Sequence, residues 1–96
     1  MFKDFKERLS FHGREYKLGG SVWASISISK PHAICGMINN DDVYMYDSRG
    51  ILIHTDWRKS LYEQEPLYIQ ELEYLYPSDG DACTYRICDL LYINTT

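Results

Sequence analysis

Apolar and polar residues alternate along the middle of the chain, and this alternation predicts β-strands. Residues 22–29 (VWASISIS) alternate with a period of two, which is typical of a half-buried strand. Residues 32–38 (HAICGMI) form an almost continuous apolar run, which favours a central strand covered on both faces. The turn-forming residues 39–42 (NNDD) separate this run from the β-prone residues 43–46 and predict a hairpin. With a short strand over 51–54, we expect a β-meander of three or four strands.

The two ends of the chain show helical spacing instead. Apolar side chains in the first twelve residues recur every three to four positions and predict a short amphipathic helix that ends at Gly13. Residues 67–76 follow Pro66, which is favoured at helix starts, and predict a second helix. Residues 82–93 predict a third helix, although 90–93 (LLYI) suits a final strand equally well.

The composition restricts these elements to one small domain. The chain has 96 residues, of which 45% are hydrophobic and 15% aromatic, too much apolar surface for a disordered coil. We therefore predict a single domain over residues 1–96, of the α+β class, with a small antiparallel β-meander flanked by helices. No run approaches the roughly 18 apolar residues of a membrane-spanning helix, so no membrane contact is expected.

The charge distribution limits the classes of partner. The net charge is −4, and residues 21–96 carry five basic against eleven acidic side chains. Such an acidic body argues against nucleic acid, whose phosphates attract a basic face. The N-terminus is charged and lacks the apolar segment of a secretory signal. The three cysteines Cys35, Cys83 and Cys88 cannot all pair within one chain, so we expect free thiols in the cytoplasm, the host cytoplasm if the protein is viral.

One set of residues suggests chemistry. His32 starts one strand of the predicted hairpin and Asp47 follows its partner strand, so both lie at the open end of the ladder. A carboxylate bonded to one imidazole nitrogen leaves the other free to act as a base, which can activate a thiol. Cys83 is the best candidate thiol, because it follows the loop 77–82 and opens a predicted helix whose dipole would lower the thiol pKa.

Each of these residues also has a structural interpretation. A histidine that opens a strand is more often structural than catalytic. Asp47 could bond the backbone of its own turn, which is common for Asp in such a position. Cys83 could be a small buried hydrophobic residue.

Two segments resemble a known family of enzymes. Residues 31–50 (PHAICGMINNDDVYMYDSRG) and 79–92 (DGDACTYRICDLLY) resemble cysteine peptidases of the adenain and ubiquitin-like-protease type. The resemblance implies a papain-like core, with His32 as the base, Asp47 as its orienting partner and Cys83 as the nucleophile. The implied reaction is acyl transfer at a peptide or isopeptide carbonyl.

The resemblance covers about half of the chain and includes two departures. The family places a Gln shortly before its Cys, whereas residues 76–82 contain none, and Thr84 stands where the family has Gly. Loss of such an oxyanion donor costs roughly 3–4 kcal/mol of transition-state stabilisation. Because the chain is also short, we expect a minimal or partial relative of viral or pathogen origin, either active or degenerate.

A second version of the resemblance places the nucleophile elsewhere. Residues 16–57 look equally like the C-terminal half of papain-order peptidases, including proteins of large viruses. In those enzymes the Cys lies in the N-terminal half. This version implies a fragment, a degenerate relative or one part of an assembly.

The alternative function is a catalytically inert protein-interaction or virion-associated domain. Tyr is enriched at protein interfaces, and the chain has nine Tyr among many acids. An acidic, Tyr-rich surface would bind a protein or peptide partner, or form a homo- or hetero-oligomer. The tyrosines in question are Tyr44, Tyr46, Tyr62, Tyr68, Tyr74 and Tyr76.

A metal site is the least favoured possibility. His32 and Cys35, with Cys83 and Cys88, would supply four ligands for a tetrahedral zinc. However, residues three apart in a strand point to opposite faces, which separates His32 from Cys35. We therefore expect no metal and no cofactor.

Overall fold

The structure is a computed structural model that describes residues 5–96. Over this range the chain forms seven β-strands, one α-helix and two short 3-10 helices. In chain order the elements are β1 (Arg8–Phe11), β2 (Arg14–Ser25), β3 (Ala33–Asn39), β4 (Asp42–Asp47), β5 (Ile51–Ile53), α1 (Arg58–Glu63), β6 (Leu67–Tyr68) and β7 (Thr84–Asn94). The 3-10 helices are Gln70–Leu72 and Gly80–Cys83.

All seven strands belong to one antiparallel sheet. Their order is β5-β4-β3-β2-β7-β6, and β1 pairs with the start of β2. The sheet curls into a half-barrel and the fold is mostly antiparallel β with one helix. The predicted α+β fold, a papain-like core with helices flanking a meander, is therefore wrong.

The part of the meander from β3 to β5 was predicted correctly, whereas the strand expected over residues 22–29 ends at Ser25 and the exposure predicted for β3 was wrong. Strands β3 and β4 form the expected hairpin, in which Asn39 pairs with Asp42, and β5 continues the meander. Burial alternates along β3: Ile34 is buried, whereas Cys35 and Met37 are exposed. The prediction that this strand is covered on both faces is wrong, because only the inner face packs on the core.

The predicted helices are replaced by strands and short turns. Residues 8–11 form β1, and the part of the predicted N-terminal helix over 1–4 lies outside the described residues. Residues 67–76 contain β6 and a 3-10 helix, and 82–93 lie mostly in β7, as the strand alternative for 90–93 implied. Pairing of β7 along β2 outweighs the helical spacing, since its Tyr, Ile and Thr residues favour strands. No helix within residues 5–96 is long and apolar enough to cross a membrane.

The core lies between the inner sheet face and the segment from α1 to the second 3-10 helix. Trp23 of β2 meets Trp57 edge to face, with ring centroids 6.4 Å apart. Gly36 of β3 permits this packing, because an added Cβ would come within 2.6 Å of the Trp57 ring and would also overlap Ser21 Oγ. The main buried hydrophobic residues are Leu18, Trp23, Ile34, Met45, Ile53, Trp57, Leu61, Leu67, Ile69, Leu72, Cys83 and Tyr85.

Candidate functional site

The open end of the β3–β4 hairpin brings His32 and Asp47 together. Asp47 ends β4, and His32 directly precedes β3. The Ser25 N–H, at the end of β2, donates to the His32 carbonyl over 2.8 Å and so closes the loop between β2 and β3. His32 Nε2 lies 2.9 Å from Asp47 Oδ1, within hydrogen-bond distance. Asp47 is 1% exposed and the His32 side chain 25% exposed. The arrangement can orient an imidazole.

Asp47 is also held by Arg49. The Arg49 Nε–H donates to both carboxylate oxygens, over 3.1 and 3.0 Å, and its Nη2 donates to Oδ2. The backbone N–H of Arg49 donates to Oδ1 over 3.0 Å, which is the turn contact of the structural interpretation. Burial acts to raise the pKa of Asp47, but the hydrogen bonds from Arg49 and His32 outweigh it and lower that pKa to about 2. The carboxylate is therefore ionised at neutral pH and largely neutralised by Arg49.

Two tyrosines lie beside this network, and one of them, Tyr76, is hydrogen-bonded to it. Arg49 Nη1 donates to the Tyr76 hydroxyl over 2.5 Å, and Lys30 Nζ lies 5.4 Å from the centroid of the same ring. Tyr85 is fully buried, and its hydroxyl has no hydrogen-bond partner among residues 5–96. Burial raises the pKa of Tyr85 to about 12. Tyr76 was expected only on the acidic, Tyr-rich surface and Tyr85 was not expected at the site, because distant segments bring both to the hairpin end.

Cys83 lies in a different environment from the one expected. It ends the 3-10 helix Gly80–Cys83, is fully buried, and forms no hydrogen bond with His32 in the described structure. Burial raises the pKa of its thiol, and the nearby Glu73 and Asp79 add to this effect. Burial thus raises this pKa, which was expected to be lowered, and Cys83 ends a 3-10 turn instead of opening a helix. A protonated, buried thiol is a poor nucleophile.

The other two thiols are exposed. Cys35 points to the outer side of β3, and Cys88 sits at a bulge in β7, where the pairing with β2 shifts register between Val22 and Trp23. No hydrogen bond joins either sulfur to His32 within the described residues. In residues 5–96, no group of three or more His, Cys, Asp or Glu side chains is arranged to hold a metal ion.

The second notable feature is the face of the sheet opposite the core, which we call the outer face. Two rows of directly paired residues cross it. One row runs from Leu52 through Tyr46 and Cys35 to Val22, and the other from Tyr44 through Met37 and Gly20 to Leu91. The exposed fractions are 54% for Leu52, 47% for Tyr46, 40% for Met37 and 52% for Leu91. As far as β2 neither row contains a charged residue, but on β7 the first row continues from Val22 to Asp89.

The tyrosines of the expected acidic surface do not gather in one place. Tyr44 and Tyr46 lie on the outer face. The Tyr62 hydroxyl donates to Glu7, and the Tyr68 hydroxyl donates to Glu73, so these side chains lie beside acids on other parts of the molecule. The exposed side chains that do lie next to one another are therefore those of the outer face, and the six tyrosines form no common surface.

No protein family, curated protein or solved structure matches the chain.

Proposed function

We propose that the chain is a protein-interaction domain whose outer face binds an apolar surface of a partner protein. The observation that carries this proposal is the set of four large apolar or aromatic side chains, Leu52, Tyr46, Met37 and Leu91, which are 40–54% exposed along two rows that carry no charge from β5 to β2. Sheets of small soluble domains usually cover one face with core and solvate the other with polar side chains. Here the middle of the solvent side carries large apolar and aromatic side chains instead, and the charged residues Asp42 and Asp89 lie at its margins.

The size of the outer face fits a binding surface. A large side chain offers roughly 200 Å² when fully exposed, so the half-exposed Leu52, Tyr46, Met37 and Leu91 together present about 400 Å² of accessible surface. Contiguous apolar patches of about 300–600 Å² are the largest on typical monomers and are often functional. Met and Tyr are also enriched at the centres of protein interfaces.

Charge selects the chemistry of the partner. The domain carries −4, and Asp41 and Asp42 at the β3–β4 turn and Asp89 on β7 lie at the margins of the outer face. Long-range attraction therefore favours a partner whose apolar surface is bordered by basic residues. High salt would screen the attraction between the acidic domain and these basic residues and would therefore weaken binding, whereas the contribution of the apolar contact would be unaffected.

Two experiments test the outer face. First, the dye ANS is added to purified protein, and the double variant Tyr46→Ser, Leu52→Ser is compared with the control Tyr74→Ser, Ile28→Ser. The control removes side chains that are even more exposed, 69% and 98%, but lie outside the paired rows. Second, a photo-crosslinking amino acid is placed at position 46 or, as control, at position 74 in cells that express the chain.

We expect the outer-face variant to lose most of the ANS fluorescence and the control to keep it. Discrete crosslinks to a basic protein should form from position 46 and not from position 74. Equal ANS fluorescence of the two variants, together with identical crosslinking from both positions, would contradict the proposal.

The His32–Asp47 contact favours a second candidate function, the acyl transfer of a cysteine peptidase. In this proposal His32 is the base, Asp47 orients it and Cys83 attacks a peptide or isopeptide carbonyl, after which His32 protonates the leaving amine. The oriented imidazole supports it. Because Cys83 is buried, attack would first require local opening around the 3-10 helix Gly80–Cys83.

A thiol-directed activity probe with a peptide-like recognition element tests this second function. Labelling that maps to Cys83 and falls at least tenfold in His32→Ala would support it. Labelling confined to Cys35 and Cys88, unchanged by His32→Ala, would exclude the proposed arrangement.

A further inference from the structure

Strand β7 has a free edge over most of its length. It pairs with β2 from Tyr85 to Asn94, but on its other side β6 pairs only with Thr84 and Tyr85. Among the described residues, no strand covers residues 86–94 on that side. A row of backbone N–H and C=O groups is therefore available to a further strand.

Pro66 explains why the pairing stops there. It directly precedes β6, and the next position of the ladder would lie opposite Arg86. Proline has no N–H to donate to a ladder, so it fits at the end of a strand and not inside one. The chain arrives at Pro66 from α1, and β6 therefore remains two residues long.

A small cavity lies beside Pro66, just before β6 begins. Its volume is about 220 Å³ and it is lined by Glu65, Pro66, Arg86 and Ile87. This is below the usual range for a whole small-molecule ligand, about 300–1,000 Å³, and suits a single side chain. Pro66 and Ile87 offer apolar contact, whereas Glu65 and Arg86 offer polar and charged groups.

We propose that an extended peptide segment of a partner protein adds to β7 as the next strand, along residues 87–94 and in line with β6. One side chain of that peptide, with an apolar stem and a polar tip, would occupy the cavity beside Pro66. Strand addition combines affinity from main-chain hydrogen bonds with specificity from side-chain pockets, and β7 supplies both features side by side. This edge is a different surface from the outer face, so the inference does not depend on the proposed function.

Asp89 protects part of the free edge of β7. The Leu90 N–H donates to the carboxylate of Asp89 over 2.9 Å. Exposed edges of natural sheets are often protected by charges and bulges, and the bulge at Cys88 immediately precedes this contact. An incoming peptide carbonyl must compete with Asp89 for this N–H, so removal of the carboxylate should strengthen peptide binding.

The test starts from a library of random twelve-residue peptides displayed on phage and selected on the full chain. Enriched sequences are synthesised with fluorescein, and their Kd is measured by fluorescence polarisation. Each peptide amide is then N-methylated in turn. A strand that adds to β7 directs every second N–H toward it, so N-methylation should weaken binding at alternate positions.

Three variants locate the binding site. Asp89→Ala should tighten binding about 2–10-fold, the range for one hydrogen bond. Arg86→Glu, which reverses a charge on the cavity wall, should weaken binding at least fivefold. Glu71→Ala removes an exposed carboxylate from the 3-10 helix Gln70–Leu72 and should leave the Kd unchanged.

Several outcomes would overturn the inference. These are no enriched peptide, equal sensitivity to N-methylation at every position, and a Kd that neither Asp89→Ala nor Arg86→Glu changes. Binding that is lost in the variant Tyr46→Ser, Leu52→Ser but unaffected at positions 86 and 89 would place the peptide on the outer face and overturn the edge site as well.

Discussion

Replacement of Asp47 by Asn measures how much the hairpin-end network stabilises the fold. The substitution keeps the size of the side chain but removes its charge and one of its acceptor oxygens. Arg49 then loses the carboxylate that it bonds through Nε and Nη2, and His32 loses a charged partner at 2.9 Å. Because Asp47 is 1% exposed, water cannot readily replace these contacts.

The magnitude follows from the pKa of Asp47. Its value is lowered from 3.8 to about 2 in the folded protein, and each pKa unit corresponds to 1.36 kcal/mol. The ionised carboxylate therefore contributes about 2 kcal/mol to the free energy of unfolding at pH 7. Since the folded pKa lies below the unfolded one, this contribution is complete above about pH 5. It is lost as the pH falls through 4 toward 2.

Urea unfolding between pH 3 and pH 7 measures the effect through the fluorescence of the two buried tryptophans, Trp23 and Trp57. At pH 7 we expect Asp47→Asn to unfold with about 2 kcal/mol less free energy than the wild type. The difference should shrink as the pH falls toward 3. Asp42→Asn is the matched control, because Asp42 is an exposed residue of the same strand, and it should change stability by less than about 0.5 kcal/mol.

The result that would refute this reasoning is a constant difference across the pH range. Two parallel stability profiles would mean that the charge of Asp47 adds nothing to the free energy of unfolding. The variant would then be less stable only because Asn lacks one of the two acceptor oxygens. An Asp47→Asn variant as stable as the wild type at pH 7 would show that Arg49 and His32 find equivalent partners in water.

Three further predictions concern the core and the buried thiol. Gly36→Ala should lower the free energy of unfolding, measured in urea, by about 1–3 kcal/mol, because the added Cβ would overlap Ser21 Oγ. In the control Gly80→Ala the added Cβ meets open space, so the free energy of unfolding should change by less than about 0.5 kcal/mol. Tyr85→Phe should leave stability unchanged or raise it by up to about 1 kcal/mol in the same assay, because the buried hydroxyl has no partner to lose; a loss above 1 kcal/mol would point to a bound water. Cys83 should react with Ellman's reagent at least tenfold more slowly than the other two thiols until urea unfolds the protein, and equal rates would contradict its burial.

The sequence was sufficient for local pairing and insufficient for long-range pairing. The β3–β4 hairpin could be predicted because the turn residues 39–42 and the flanking apolar runs lie next to each other. Strand β7 was mistaken for a helix, since its partner β2 lies some 70 residues away and only that pairing distinguishes the two states. The same limit applies to the site: the approach of His32 to Asp47 is a hairpin property, whereas the environment of Cys83 depends on distant segments.

The two proposed functions make opposite demands on the Asp47 carboxylate. A catalytic partner of His32 must stabilise positive charge on the imidazole, and it does so best when no other cation shares the carboxylate. In this structure Arg49 bonds both oxygens through its guanidinium, and only one of the hydrogen bonds to Asp47 involves His32. Such a carboxylate serves first to fix the hairpin end and the loop before β3. That geometry is what an interaction domain needs to hold its outer face rigid, and it is the physical reason to place binding ahead of catalysis.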